Sequence, residues 1–230
     1  MNGTWILPLL ILTAALPIII VFIWLRTRKS PVTLPWFLVS LTAGIVSLLA
    51  AALIQNLLPS LYGSRKGGPG PIFFDFFVRI ALIEEASRLV TIIPFFRAGS
   101  RRRKMSRAFC GALGFAAGLG FATLESAIYG ITDVNITLLR AFTAAPLHGA
   151  CGIRVSLAFF YYKRYPVKAL FLFIFAVLIH GAYNLMIASP ALPSMLAALV
   201  AFVALFSSLP YLITAEGDEE NLFVSTPPEP

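Results

Sequence analysis

Ile83-Glu84-Glu85-Ala86-Ser87-Arg88-Leu89 lies near the middle of an apolar run from about Ile72 to Phe96. Three ionisable groups thus stand where a bilayer would place its hydrocarbon. A charge at that depth costs a few kcal/mol or more, so such groups face a protein interior or a wet cavity. Glu84 and Arg88 are spaced i,i+4 and Glu85 and Arg88 i,i+3, so one guanidinium can reach either carboxylate. The two glutamates point about 100° apart on a helix. One can face a cavity while the other faces a neighbouring helix.

The surrounding chain supports a membrane setting. Of its 230 residues 59% are hydrophobic and only 12% charged, where a soluble domain carries about 25% charged residues. Seven apolar runs, roughly 5–25, 35–58, 72–96, 108–131, 137–162, 168–188 and 193–214, approach or exceed the ~20 residues that span a bilayer. They are continuous and lack period-two alternation, which disfavours a β-barrel. Backbone polar groups in lipid must be satisfied internally, so each run is read as a helix. The fold class is all-α, a polytopic transmembrane bundle of about seven spans. Residues 1–215 read as one membrane domain, with its polar motifs concentrated in 72–188, and the acidic segment 216–230 reads as a disordered cytoplasmic tail.

Charge placement sets the expected orientation. Arg26, Arg28 and Lys29, then Arg97, Arg101, Arg102, Arg103, Lys104 and Arg107, then Lys163, Arg164 and Lys168 all fall on one side of the bundle. The opposite loops hold only Arg65 and Lys66. The positive-inside rule predicts the N-terminus outside and the C-terminus in the cytoplasm. The net charge of +8 is accordingly a topology signal, and no nucleic-acid partner is expected. Met1 to Trp5 has no basic n-region, so the first span is expected to be retained. Cys110 and Cys151 fall within spans and read as packing residues.

Other charges within the spans have simpler readings. Asp75 and Arg79 are spaced to neutralise each other. Arg140 stands near the outer start of its span and can snorkel to the headgroups. Arg154 is deeper, either the partner of a buried carboxylate or a snorkeller toward the cytoplasm. Gly114-x-x-x-Gly118 permits close helix approach and suits a helix wedged at the centre of the bundle.

Three further polar groups complete a constellation: Phe121-Ala122-Thr123-Leu124-Glu125, His148-Gly149-Ala150-Cys151-Gly152 and His180-Gly181-Ala182-Tyr183-Asn184. His180 and Asn184 share one helical face. At ~1.5 Å per residue, Glu84 and His180 lie about 18 Å, His148 about 21 Å and Glu125 about 25 Å from the cytoplasmic ends of their spans. Helices of alternating direction thus bring their polar residues to comparable depth. Singly, each has an ordinary structural role, Arg88 as a countercharge above all. Jointly they suit hydrolysis within the membrane. A glutamate can take the proton from water. Histidines can donate to an oxyanion or bind Zn²⁺. No His-Glu-x-x-His helix is present. A metal would need His148 and His180, with Glu125 or Glu85, from separate helices. A metal-free site with a glutamate base and His180/Asn184 as oxyanion donors fits the residues equally well.

Leu82-Ile83-Glu84-Glu85-Ala86-Ser87-Arg88-Leu89, Gly118 to Tyr129, Leu139 to Gly152 and Val177 to Asn184, in this order, resemble the PrsW family of intramembrane proteases. They are more distantly similar to the CAAX-processing and bacteriocin-processing membrane endopeptidases. The resemblance implies cleavage of membrane-anchored substrates, anti-sigma factors among them. By the resemblance Glu84 or Glu85 activates water, and Glu125 takes the place of a histidine in the CAAX-processing relatives. His180 and Asn184 would match their last His-x-x-x-Asn/Asp element, with Arg88 and His148 in support. Family naming implies a metalloprotease, whereas the CAAX relatives are argued to be metal-free. Ser126 stands where the family commonly has Asn, and Arg88 where it often has Lys. The expected setting is a bacterial plasma membrane. Buried Glu/His chains also mark ion pathways, so a transporter or proton relay is the competing reading. A non-catalytic scaffold that binds membrane helices is the third.

Overall fold

The computed structural model describes residues 6–28, 30–61, 69–100, 105–131, 134–189 and 192–212. Lys29, Arg65, Lys66, the run Arg101 to Lys104 and the tail 216–230, all used in the topology reading, lie outside them. The described residues are helical and contain no strand. The helices are α1 (Ile6–Thr27), α2 (Leu34–Asn56), α3 (Pro69–Phe73), a π-helical stretch (Phe74–Leu82), α4 (Ile83–Ser100), α5 (Arg107–Gly130), α6 (Val134–Tyr161), α7 (Pro166–Ala188) and α8 (Ser194–Phe206). A 3₁₀ turn, Leu209–Leu212, follows. α3, the π stretch and α4 form one continuous rod, because Phe73 and Ile83 at the joins both keep right-handed helical angles.

Local sequence chemistry accounts for the ends. Proline near the start of α2 and α7 costs no internal hydrogen bond, since the first N–H groups of a helix lack partners. Ser106 caps α5, its side chain accepting from the Phe109 N–H at 3.2 Å. Among the described residues, four helical stretches, Leu34–Asn56, Arg107–Gly130, Pro166–Ala188 and Met195–Leu212, are long and apolar enough to cross a membrane. α6 and the rod are comparably long and carry most of the buried ionisable groups, His180 of α7 being an exception.

α5 is the central helix, buried without interruption from Ala108 to Ala122. It packs mainly on α6 and α2. Gly114 and Gly152 face each other across the α5–α6 contact, and a Cβ on either would overlap the other's carbonyl. A Cβ on Gly118 would overlap the His148 carbonyl. The glycine spacing therefore brings α6, with its histidine, hard against α5. Large apolar side chains exposed on the outer helices, among them Ile20, Leu53, Phe171 and Val203, form the surface that lipid would solvate.

Two sequence expectations are corrected. Arg140 does not reach for headgroups: it turns inward onto Glu125 and lies over the Tyr129 ring. Arg154 neither meets a carboxylate nor snorkels. It is buried, and its guanidinium donates to the Ala150 and Ala204 carbonyls and to the Ser207 and Ser208 hydroxyls, tying α6 to the end of α8. Sequence spacing could not show these acceptors, because three of the four come from a helix some fifty residues away.

Candidate functional site

The rod, α5, α6 and α7 bring Glu84, Glu85, Arg88, Glu125, His148 and His180 together in one connected cluster. Glu85 is fully buried and held from two sides. Arg88, one turn below it on the same helix, forms an ion pair with Oε2. His180 Nδ1 approaches Oε1 at 2.8 Å from α7. A carboxylate accepts and does not donate, so His180 Nδ1 carries a proton. Arg88 also donates through Nη2 to His148 Nδ1 at 3.2 Å, and its guanidinium covers the Phe121 ring at 4.5 Å. That donation leaves the His148 proton on Nε2, which gives it to Glu125 Oε2 at 2.8 Å. Arg140 Nη2 completes this second carboxylate's shell at 2.5 Å.

Glu84 has different surroundings. Gln55 Nε2 donates to its Oε1 at 3.0 Å. Its other oxygen, Oε2, is buried and has no hydrogen-bond partner. His180 Nε2 lies 3.5 Å from that oxygen. Glu84 and Glu125 both line a cavity of about 520 Å³, walled also by Gln55, Arg79, Arg140 and Tyr183. Its walls come from the last turns of α2, α5 and α7, the first turns of α6 and the π stretch, which places the cavity at one end of the bundle. Asn184 lines the same cavity one turn beyond His180, half-buried and apart from the ion cluster.

The arrangement answers the question left by the adjacent glutamates. The 100° between them turns Glu85 into the protein and Glu84 toward open space. Arg88 neutralises Glu85, not Glu84, and through His148 reaches the Glu125 pair as well.

Gln55 escaped the sequence reading, and Arg140 was read there only as a headgroup ligand. Gln55 lies on α2, outside the motif-bearing stretch, and one amide in an apolar helix is a weak signal. Arg140 could have been found from its distance of fourteen or fifteen residues to Ser126 and Glu125 across a short helical hairpin. Its Nε donates to Ser126 Oγ at 3.4 Å, which gives that serine a positioning role. Arg79 is paired with Asp75 at 3.8 Å as the spacing predicts, and it also donates to the Leu58 carbonyl at 3.0 Å.

Glu84, His148 and His180 offer donor atoms that all lie within 4.8 Å of one another. Two imidazoles and a carboxylate from three helices are a donor set that suits a catalytic divalent metal. The partnerless Glu84 Oε2 fits it directly, and so does His180 Nε2 in the neutral ring. Glu85 behind His180 is the carboxylate–histidine arrangement that aims the second nitrogen at a metal. His148 fits less directly, because both of its nitrogens are engaged by Arg88 and Glu125.

The model of the PrsW family intramembrane metalloproteases matches residues 31–209, from the start of α2 to the turn after α8. No curated protein and no solved structure matches the chain.

Proposed function

From a chain that belongs to the PrsW family of intramembrane metalloproteases, we propose an endopeptidase that hydrolyses peptide bonds of membrane-anchored proteins, with Glu84 as its general base. The observation that carries the assignment is the asymmetry of the glutamate pair. Glu84 lines the cavity and keeps a buried, partnerless oxygen beside His180 Nε2, while Glu85 is saturated by Arg88 and His180. A base needs a free oxygen within reach of water; an anchor needs none.

In this reading Gln55 holds Glu84 Oε1 so that Oε2 faces the incoming water. Glu84 takes the water's proton as the oxygen attacks the scissile carbonyl, then returns it to the leaving amine. Glu85 fixes His180 through Nδ1, so that Nε2 faces the reacting carbonyl. Arg88 holds Glu85 and His148 in register. Glu125, clamped by Arg140 and His148, bounds the cavity on the α5 side, and Asn184 is placed to hold the peptide. Were Zn²⁺ held by His148, His180 and Glu84, it would lower the pKa of bound water and polarise a carbonyl, with Glu84 a ligand in place of the base. A second reading needs no metal. The Glu85 carboxylate against His180 Nδ1 also suits a doubly protonated ring, whose Nε2–H would stabilise the oxyanion with the Asn184 amide as the second donor.

We place residues 1–215 as the protease domain in a bacterial plasma membrane, crossing it seven times, with the N-terminus outside and the acidic segment 216–230 in the cytoplasm. The cavity then opens toward the outer face, and anti-sigma-factor-type regulators are the substrate class. The test compares membrane proteomes of cells carrying wild type and Glu84→Gln. We expect at least one membrane-anchored protein to lose a cleavage product; no Glu84-dependent product in any condition would sink the protease reading. Zinc content then separates the two mechanisms. Bound zinc lost in His180→Ala supports the metal site, while chelator-resistant cleavage by zinc-free protein supports the other.

A further inference from the structure

A second cavity, of about 450 Å³, lies at the other end of the bundle between α4, α6 and α7. α7 packs closely on the π stretch and hardly touches α4. The two helices thus part below the ion cluster and leave a wedge. Its walls are apolar, with Leu89 and Ile93 on one side, Leu170 and Phe173 on the other and Ala158 at the back. Leu170 is more than half exposed, so the wedge opens sideways to the surrounding lipid.

The mouth has the opposite character. Exposed Arg97 belongs to the cavity wall, and Tyr162 and Pro166, which also line it, bracket Lys163 and Arg164. Lys168 follows within half a turn and lies over the Tyr161 ring at 3.8 Å. One cation therefore lines the apolar slot, and three more stand on the adjoining turn 163–168. A transmembrane helix about 10 Å wide and 30 Å long occupies on the order of 2,000 Å³, several times the space available. An acyl chain is slender enough. Basic pockets between membrane helices on the cytoplasmic side suit anionic lipid headgroups.

We propose that this wedge is a binding site for one anionic phospholipid, with an acyl chain between α4 and α7 and the phosphate held by Arg97 and the basic turn 163–168. The site stands apart from the catalytic reading and does not depend on it. The occupant would fill the gap between the two helices that carry Glu84, Glu85 and His180.

The full chain is reconstituted in vesicles of equal phosphatidylglycerol and phosphatidylcholine, extracted in mild detergent, and its retained lipid measured by native mass spectrometry. Wild type should retain phosphatidylglycerol over phosphatidylcholine. Arg97→Gln with Lys168→Gln should lower that retention at least about fivefold, the effect of roughly one basic contact at a membrane surface. Leu170→Trp, which fills the slot and keeps every charge, should lower it similarly. Arg26→Gln with Arg28→Gln, which removes two charges from the end of α1, should leave it unchanged. All variants must elute as wild type on size exclusion. Equal loss in the α1 control would reduce the effect to general surface attraction and overturn the proposal. So would unchanged retention in Leu170→Trp, no phosphatidylglycerol preference in wild type, or capture of a protein segment in place of lipid by a photo-crosslinker at position 170.

Discussion

Consecutive residues on a helix face directions about 100° apart, and for Glu84 and Glu85 that angle separates two chemistries. Glu85 meets a guanidinium and an imidazole; Glu84 meets an amide and a cavity. The pair therefore predicts opposite failures. Glu84→Gln should abolish cleavage, by at least ~10²-fold for loss of a general base, and leave the melting temperature in detergent near wild type. Glu85→Gln or Arg88→Leu leaves a buried charge without its partner. That costs about 3–5 kcal/mol, so thermal unfolding of either variant should come markedly earlier than in Glu84→Gln. Equal melting of the three would remove the distinction between base and anchor. Gln55 offers a finer test. A hydrogen bond to a charged group contributes roughly 1.5–3 kcal/mol. If it serves to aim Glu84, Gln55→Leu should slow cleavage about tenfold or more in a steady-state assay at unchanged zinc content.

At the scale of the element, much of the site was readable because motif residues recur one helical turn apart. His180 and Asn184 share a turn, and Glu85 and Arg88 do likewise. What a single helix could not disclose was which partner each face would meet. Two glutamates one residue apart become different only when α2 brings Gln55 to one and α7 brings His180 to the other. Arg140 looked like a headgroup ligand because its own helix holds no acid, and the α5–α6 hairpin supplies Glu125. The glycines of α5 were legible as a close-approach surface, and that surface now has a definite use. Gly118 seats the His148 carbonyl, so its size sets where that histidine stands. Gly118→Ala should force α6 outward, costing about 1–3 kcal/mol by overpacking. It should also lower cleavage, whereas Gly70→Ala, in open space, should do neither. Thermal unfolding and reporter cleavage of the two variants check this.

For the whole molecule, hydropathy was sufficient to read an all-helical membrane protein, because lipid admits so few backbone solutions. The topology is a proposal that labelling can test. Cys110 and Cys151 are both buried and should be silent to a membrane-impermeant thiol reagent. Against that background, Tyr129→Cys at the cavity should be labelled from outside intact cells. Tyr162→Cys at the basic end should be labelled only after the membrane is opened. The reverse pattern would invert the orientation.

The π-helical stretch Phe74–Leu82 immediately precedes Ile83-Glu84-Glu85. A π turn carries more residues than an α turn, so the azimuth of both glutamates depends on how many residues are counted before them. Loss of a single codon there would leave the run just as apolar and nearly as long. Wound back into α geometry with one residue fewer, it would deliver both glutamates at nearly the same azimuth, because the deletion removes the residue that the wider winding takes up. The same rewinding at full length would carry both carboxylates round the rod, away from Gln55 and His180. This segment should therefore bear loss of one residue better than a substitution that drives it to α winding at full length.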